Sequence, residues 1–114
     1  MESVEKTSTY RTVIQEFLKE YSRYKPSHGE IEIQTLFDLD TDHYQVVGVG
    51  WDRGERIYGV SIHLDIKDGK IWIQVNNTEI DLGQEFVERG VDKNDIVIGF
   101  QPPYIRAHSG YAIV

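Results

Sequence analysis

The sequence predicts an α+β fold: an N-terminal helix packed on a four-stranded antiparallel meander sheet, then a short second helix and a C-terminal extended segment. Three observations carry this expectation. Tyr10, Val13, Ile14, Phe17, Leu18, Tyr21 and Tyr24 recur on one face at a helical period. Apolar runs that alternate with polar residues then follow one another from Ile31 to Asn76. Between the last two runs stands Asp68-Gly69, which suits a type I′ hairpin because both central positions need φ > 0.

Met1 to Thr7 is polar and reads as a disordered tail. Ser8 or Thr9 can cap the first helix, and Pro26 stops it by disfavouring helical geometry at Lys25. Ile31 to Leu39 is the first strand, Asp40 to His43 the connection, and Tyr44 to Trp51 the second strand. Arg53-Gly54 closes a hairpin onto the third strand, which begins at Arg56. That loop places Val49 against Tyr58 and Val47 against Val60, both expected on the core side. Continued unchanged, the register would set Gln45 against Ile62 and His43 against Leu64. A one-residue bulge near Gly48 would return Val46 and Tyr44 to the core, and glycine inside a strand often marks one.

With Asp68 and Gly69 as loop residues, Ile66 faces Ile71, Leu64 faces Ile73, and Ile62 faces Val75, with Tyr58 and Val60 extending that apolar side. The other side sets Asp65 opposite Trp72, His63 opposite Gln74, and Ser61 opposite Asn76. Asp81 with Gln84 starts the second helix over Leu82 to Arg89, and Gly90 ends it. Asp92 can cap one turn. Asp95 to Phe100 is a candidate fifth strand, and Gln101-Pro102-Pro103-Tyr104 reads as extended because Pro-Pro cannot complete a ladder.

A chain of 114 residues makes one domain, 1–114, able to bury roughly 65% of its unfolded surface without metals or disulfides. It has no cysteine, which rules out disulfides, thiolate metal sites and thiol nucleophiles. The polar start argues against a signal peptide, and no apolar run approaches the roughly 20 residues of a membrane span, so a cytoplasmic protein is expected. A formal charge of −7 disfavours attraction to phosphate backbones, so strong direct nucleic-acid binding is not expected.

Few residues carry a chemical signal. Asp38, Asp40 and Asp42 match the start of a calcium loop, but His43 stands where glycine is needed and Val49 where the closing glutamate is needed. An acidic turn is the simpler reading. His63 and Asp65 share one strand face and could ligate a metal or act as base and orienter. A metal needs a further ligand, and no spacing guarantees that His28, His43 or His108 comes near, so no metal, cofactor or catalytic residue is assigned. The favoured site is a contact surface: His63, Asp65, Trp72 and Gln74 on the polar sheet face, with Pro102, Pro103 and Tyr104 as a stiff arm. The alternative is a small-molecule or metal-dependent hydrolytic site on the His63/Asp65 face.

The runs HLDIKDGKIWIQ, NNTEID, DIVIGFQPPYIR and SGYAIV, with YSRYKPSHGEIE, DTDHYQ and VGW before them, resemble the XisI family, the fdxN element excision controlling factor proteins of cyanobacteria. The resemblance covers Tyr10 to Val114. It implies a non-enzymatic cytosolic accessory protein linked to developmental excision of a DNA element in heterocysts, usually paired with a second small protein, XisH. Gln101 departs from the histidine that relatives often carry in GFHPP, so any role resting on that histidine is missing here. A homodimer through one self-complementary face is also compatible with the sequence.

Overall fold

The computed structural model describes residues 2–23 and 29–114, with side chains from Val4 onward. The elements are α1 (Glu2–Ser22), β1 (Glu30–Asp38), β2 (His43–Asp52), β3 (Glu55–Lys67), β4 (Lys70–Asn76), α2 (Leu82–Glu88), a 3₁₀ turn at Lys93–Asp95, β5 (Ile96–Ile98) and α3 (Pro103–Arg106). The strands form one sheet in chain order, with β1 to β4 antiparallel and β5 parallel to β4. The fold is α+β as expected, but the sheet has five strands and is mixed. A parallel neighbour needs a crossover, and α2 with the Lys93–Asp95 turn supplies it. β5 is apolar at every position because both of its faces are covered: Ile96 and Val97 are fully buried.

α1 presents the expected stripe. Tyr10, Ile14, Phe17 and Leu18 are buried against Tyr44, Val46, Ile62, Leu64, Ile66, Ile71 and Ile73 of the sheet. Leu82 and Phe86 of α2 close the same layer, Phe86 meeting Phe17 edge-on at 5.5 Å. The helix begins earlier than expected. Residues 2–7, expected in a disordered tail, are its first turns, and Ser8 and Thr9 lie inside it. Lys6 reaches Asp95 at 3.1 Å, a contact that helps hold a stretch with no apolar stripe of its own. Tyr24, the stop at Pro26, and His28 lie outside the described residues.

Both tight hairpins form as read, with Asp68 and Gly69 at φ 53° and 75° and Arg53 and Gly54 at 52° and 80°. The pairs Val49–Tyr58 and Val47–Val60 are present, and a bulge then restores Val46–Ile62 and Tyr44–Leu64. The extra residue is Ser61 on β3, not a residue near Gly48 on β2. This placement reverses one expectation. β2 alternates without interruption, so Val47 and Val49 share the face of His43 and Gln45, opposite Tyr44 and Val46. Tyr58 and Val60 lie there too, and Tyr58 is 76% exposed instead of extending the core. A second shift skips Gln74 on β4, so Ile62 faces Asn76 and His63 faces Val75. The expected pairs Leu64–Ile73, Asp65–Trp72 and Ile66–Ile71 hold.

Pro102-Pro103-Tyr104 is not fully extended. Pro102 is (φ −68°, ψ 155°), but Pro103 opens the single turn of α3, where its missing N–H is of no consequence. The chain then returns along β5, with Ala112 bridging Val97 and its N–H donating to Ile96 O at 2.9 Å. Tyr111 lies against Gly83, where an added Cβ would stand 2.7 Å from the ring and hydroxyl.

Candidate functional site

The sheet face turned away from α1 carries the polar cluster. Once the Ser61 bulge sets Tyr44 opposite Leu64, the next residue, His43, must stand opposite Asp65. Asp65 is buried, and its carboxylate gathers three donors. His43 Nδ1 donates to Oδ1 at 2.6 Å, His63 Nε2 to the same oxygen at 2.8 Å, and Gln74 Nε2 to Oδ2 at 3.1 Å. Because an ionised carboxylate only accepts, both imidazole nitrogens facing it carry hydrogen. His63 Nδ1 is then free to accept from Gln45 Nε2 at 3.2 Å, which fixes its tautomer.

The electrostatics follow from these contacts. Burial alone would raise the Asp65 carboxyl, but the hydrogen bonds from His43, His63 and Gln74 outweigh it and hold the group below the usual carboxylate range. His43 moves up, chiefly through its hydrogen bond to Asp65, with Asp38 and Asp42 adding negative potential. The Asp38–Asp42 stretch is a self-closed turn. Asp38 accepts from the N–H groups of Asp40 and Thr41, and Asp42 takes a two-point contact from Arg11 at 2.8 and 2.9 Å. Those oxygens are occupied as in an acidic turn, in agreement with the simpler reading.

His63, Asp65 and Gln74 thus meet as expected, and His43 joins them. The sequence spacing did not guarantee a third ligand-type residue beside His63 and Asp65, and the strand register supplies one in His43. Part of its signal was present in the sequence: any bulge that returns Tyr44 to the core turns His43 onto the face of His63 and Asp65, and the extra residue at Ser61 sets it opposite Asp65.

Trp72 lies on this face, next to Asp65 across the strand pair, but it is roofed over. Lys67 Nζ stands 4.4 Å and the Arg106 guanidinium 5.2 Å from its ring centroid, and its indole N–H is buried without an acceptor among the described residues. Arg106 is the residue that sequence reasoning missed. Its Nε donates to the carbonyls of Gln101 at 2.8 Å and Ile98 at 3.3 Å, Nη1 to Ile113 at 3.1 Å, and Nη2 to Gly99 at 3.3 Å. One side chain ties both ends of the terminal segment over Trp72. Pro102, Pro103 and Tyr104 ride on that segment apart from the histidines and are exposed, Tyr104 at 74%. Phe100 at 53% and Ile105 at 39% stand near them in the chain.

No helix among the described residues is long and apolar enough to cross a membrane. The family model described as XisI protein matches residues 4–113. The crystal structure of a XisI-like protein from Anabaena variabilis is similar with a TM-score of 0.88 and 39% identity, covering 95% of this chain and 99% of that one. The crystal structure of the fdxN element excision controlling factor XisI from Anabaena variabilis is similar with a TM-score of 0.81 and 30% identity, covering 96% and 99%. No curated protein matches the chain. With the family's sequence pattern running over nearly its whole length, and with the same fold in relatives at these identities, the chain belongs to the XisI family.

Proposed function

We propose that this chain is a non-enzymatic accessory protein that helps control excision of a DNA element by binding a second small protein of the XisH type in the cytosol. The observation that carries the reading is the exposed apolar ridge of Phe100, Pro102, Pro103, Tyr104 and Ile105, anchored by Arg106 so that little ordering is left to binding. Aromatic side chains presented on a rigid support are the usual anchors of protein contacts. A chain with a charge of −7 has no general attraction for phosphate, so the reading assigns contact with DNA to the partner.

Trp72 is a poor probe of this idea, because removing it from beneath Arg106 would disturb the fold as well as the surface. The test is the double substitution Phe100→Ser and Tyr104→Ser in a strain that also expresses the XisH-type protein. Co-purification should fall by about tenfold or more while far-UV circular dichroism and the melting temperature stay at wild-type values. Undiminished co-purification overturns the proposal. If a second copy of the chain occupies the ridge instead, light scattering will find a wild-type dimer that the double variant converts to a monomer.

A further inference from the structure

We propose that His43, His63 and Asp65 form a binding site for a divalent transition-metal ion, with Zn²⁺ the best match. His43 Nδ1, His63 Nε2 and an Asp65 carboxylate oxygen all lie within 4.8 Å of one another. The two nitrogens already converge on a single oxygen, Oδ1, at 2.6 and 2.8 Å. Tetrahedral Zn²⁺ with bonds of about 2.0–2.1 Å sets neighbouring ligand atoms about 3.3 Å apart, so the two contacts open by about 0.5–0.7 Å to admit the ion. That is a small rotation for His43, whose side chain is 54% exposed, while the less exposed His63 and Asp65, at 26% and 10%, form the fixed floor.

The protonation exchange balances. The ion takes the place of the two imidazole protons now shared with Asp65. The proton on His43 Nδ1 moves to its outward Nε2, and His63 adopts the tautomer with hydrogen on Nδ1. Gln45, now 3.2 Å from that nitrogen, receives the hydrogen on its carbonyl oxygen after a half-turn of its amide. A ligating histidine whose second nitrogen is held by a neighbour is the arrangement that orients metal sites, and Gln74 does the same for Asp65 through Oδ2. The surroundings add to the attraction, since Asp38 and Asp42 place negative potential at His43. Two imidazoles and one carboxylate suit Zn²⁺ and disfavour Mg²⁺ or Ca²⁺, which take oxygen shells. Three protein ligands leave a fourth position, which opens on the solvent side past His43.

The test uses the untagged full-length chain, stripped with chelator, and titrated with ZnCl₂ in a calorimeter at neutral pH. Binding of one Zn²⁺ per chain is expected, with a rise in melting temperature. His43→Ala, an exposed position that leaves the fold intact, should weaken binding by about a hundredfold and abolish that rise; Gln45→Ala should weaken it by about tenfold. His108→Ala, on the terminal segment, should bind as the wild type does. Absence of saturable uptake overturns the site, and so does uptake that His43→Ala and Asp65→Asn leave unchanged.

Discussion

Replacing Arg106 by alanine tests whether one side chain holds the terminal segment on the sheet. Of its four carbonyl contacts, those to Gln101 at 2.8 Å and Ile113 at 3.1 Å are the shorter, and those to Ile98 and Gly99 at 3.3 Å are weaker. Two well-formed hydrogen bonds from a charged donor at a partly exposed site contribute about 1–1.5 kcal/mol each. The guanidinium over the Trp72 ring adds about 0.5–1 kcal/mol. The sum is about 3 kcal/mol. For a domain of this size 1 kcal/mol moves the melting temperature by about 4 °C, so Arg106→Ala should melt about 10–12 °C lower. Trp72 loses its cover, so fluorescence should shift to the red, while Trp51, already 53% exposed, contributes an unchanged background. Arg106→Lys keeps a cation over the ring but loses the planar fork, and should fall between the two. A melting temperature within about 2 °C of wild type, with unchanged emission, would refute the reasoning.

Gly50→Ala should prevent stable folding, read by circular dichroism and solubility, because the new Cβ would stand 1.9 Å from Glu30 O and 2.8 Å from Ile31 Cα, backbone atoms that cannot move aside. Leu64→Ala, fully buried beneath α1, should lower unfolding free energy by about 3–4 kcal/mol in urea titrations. The His43 imidazole, followed by NMR in metal-free protein, should titrate above its ordinary 6.5, and Asp65→Asn should bring it back down. His43 is raised on folding, so its contribution is complete below pH about 6.5 and fades as pH climbs through the folded value; Asp65 is lowered, so its contribution is present above about 3.8 and fades in acid. Gly83→Ala should loosen the terminal segment alone, since it displaces Tyr111, and faster amide exchange at Ala112 is the readout.

Features written in local chemistry were legible in the sequence. Asp68, Gly69 and Gly54 adopt the positive φ that their residue types favour, Arg53 takes it because the two-residue turn beside Gly54 imposes it, and the α1 stripe is buried as spaced. Asp81 caps α2 by accepting from the Gln84 N–H at 3.1 Å. What escaped depends on tertiary pairing. Ser61 has no mark of a bulge residue, so the need for a register change could be inferred but not its strand. From that one displacement came the misplaced faces of Val47, Val49, Tyr58 and Val60 and the overlooked approach of His43 to Asp65. β5 was visible as an apolar run, and its lack of alternation was the clue to a parallel, doubly covered strand. Arg106 was hidden because its partners are carbonyls, which every residue carries.

The sealing of β5 by Ala112 leaves the sheet lopsided toward its surroundings. On that side the ladder is closed by the chain's own tail, while the outer rim of β1 has no strand beside it among the described residues. Growth by strand addition is therefore confined to β1, where Glu30, Glu32 and Asp38 lie along nine residues of backbone. Two copies approaching rim to rim would set these carboxylates against one another, a like-charge contact that opposes pairing through β1.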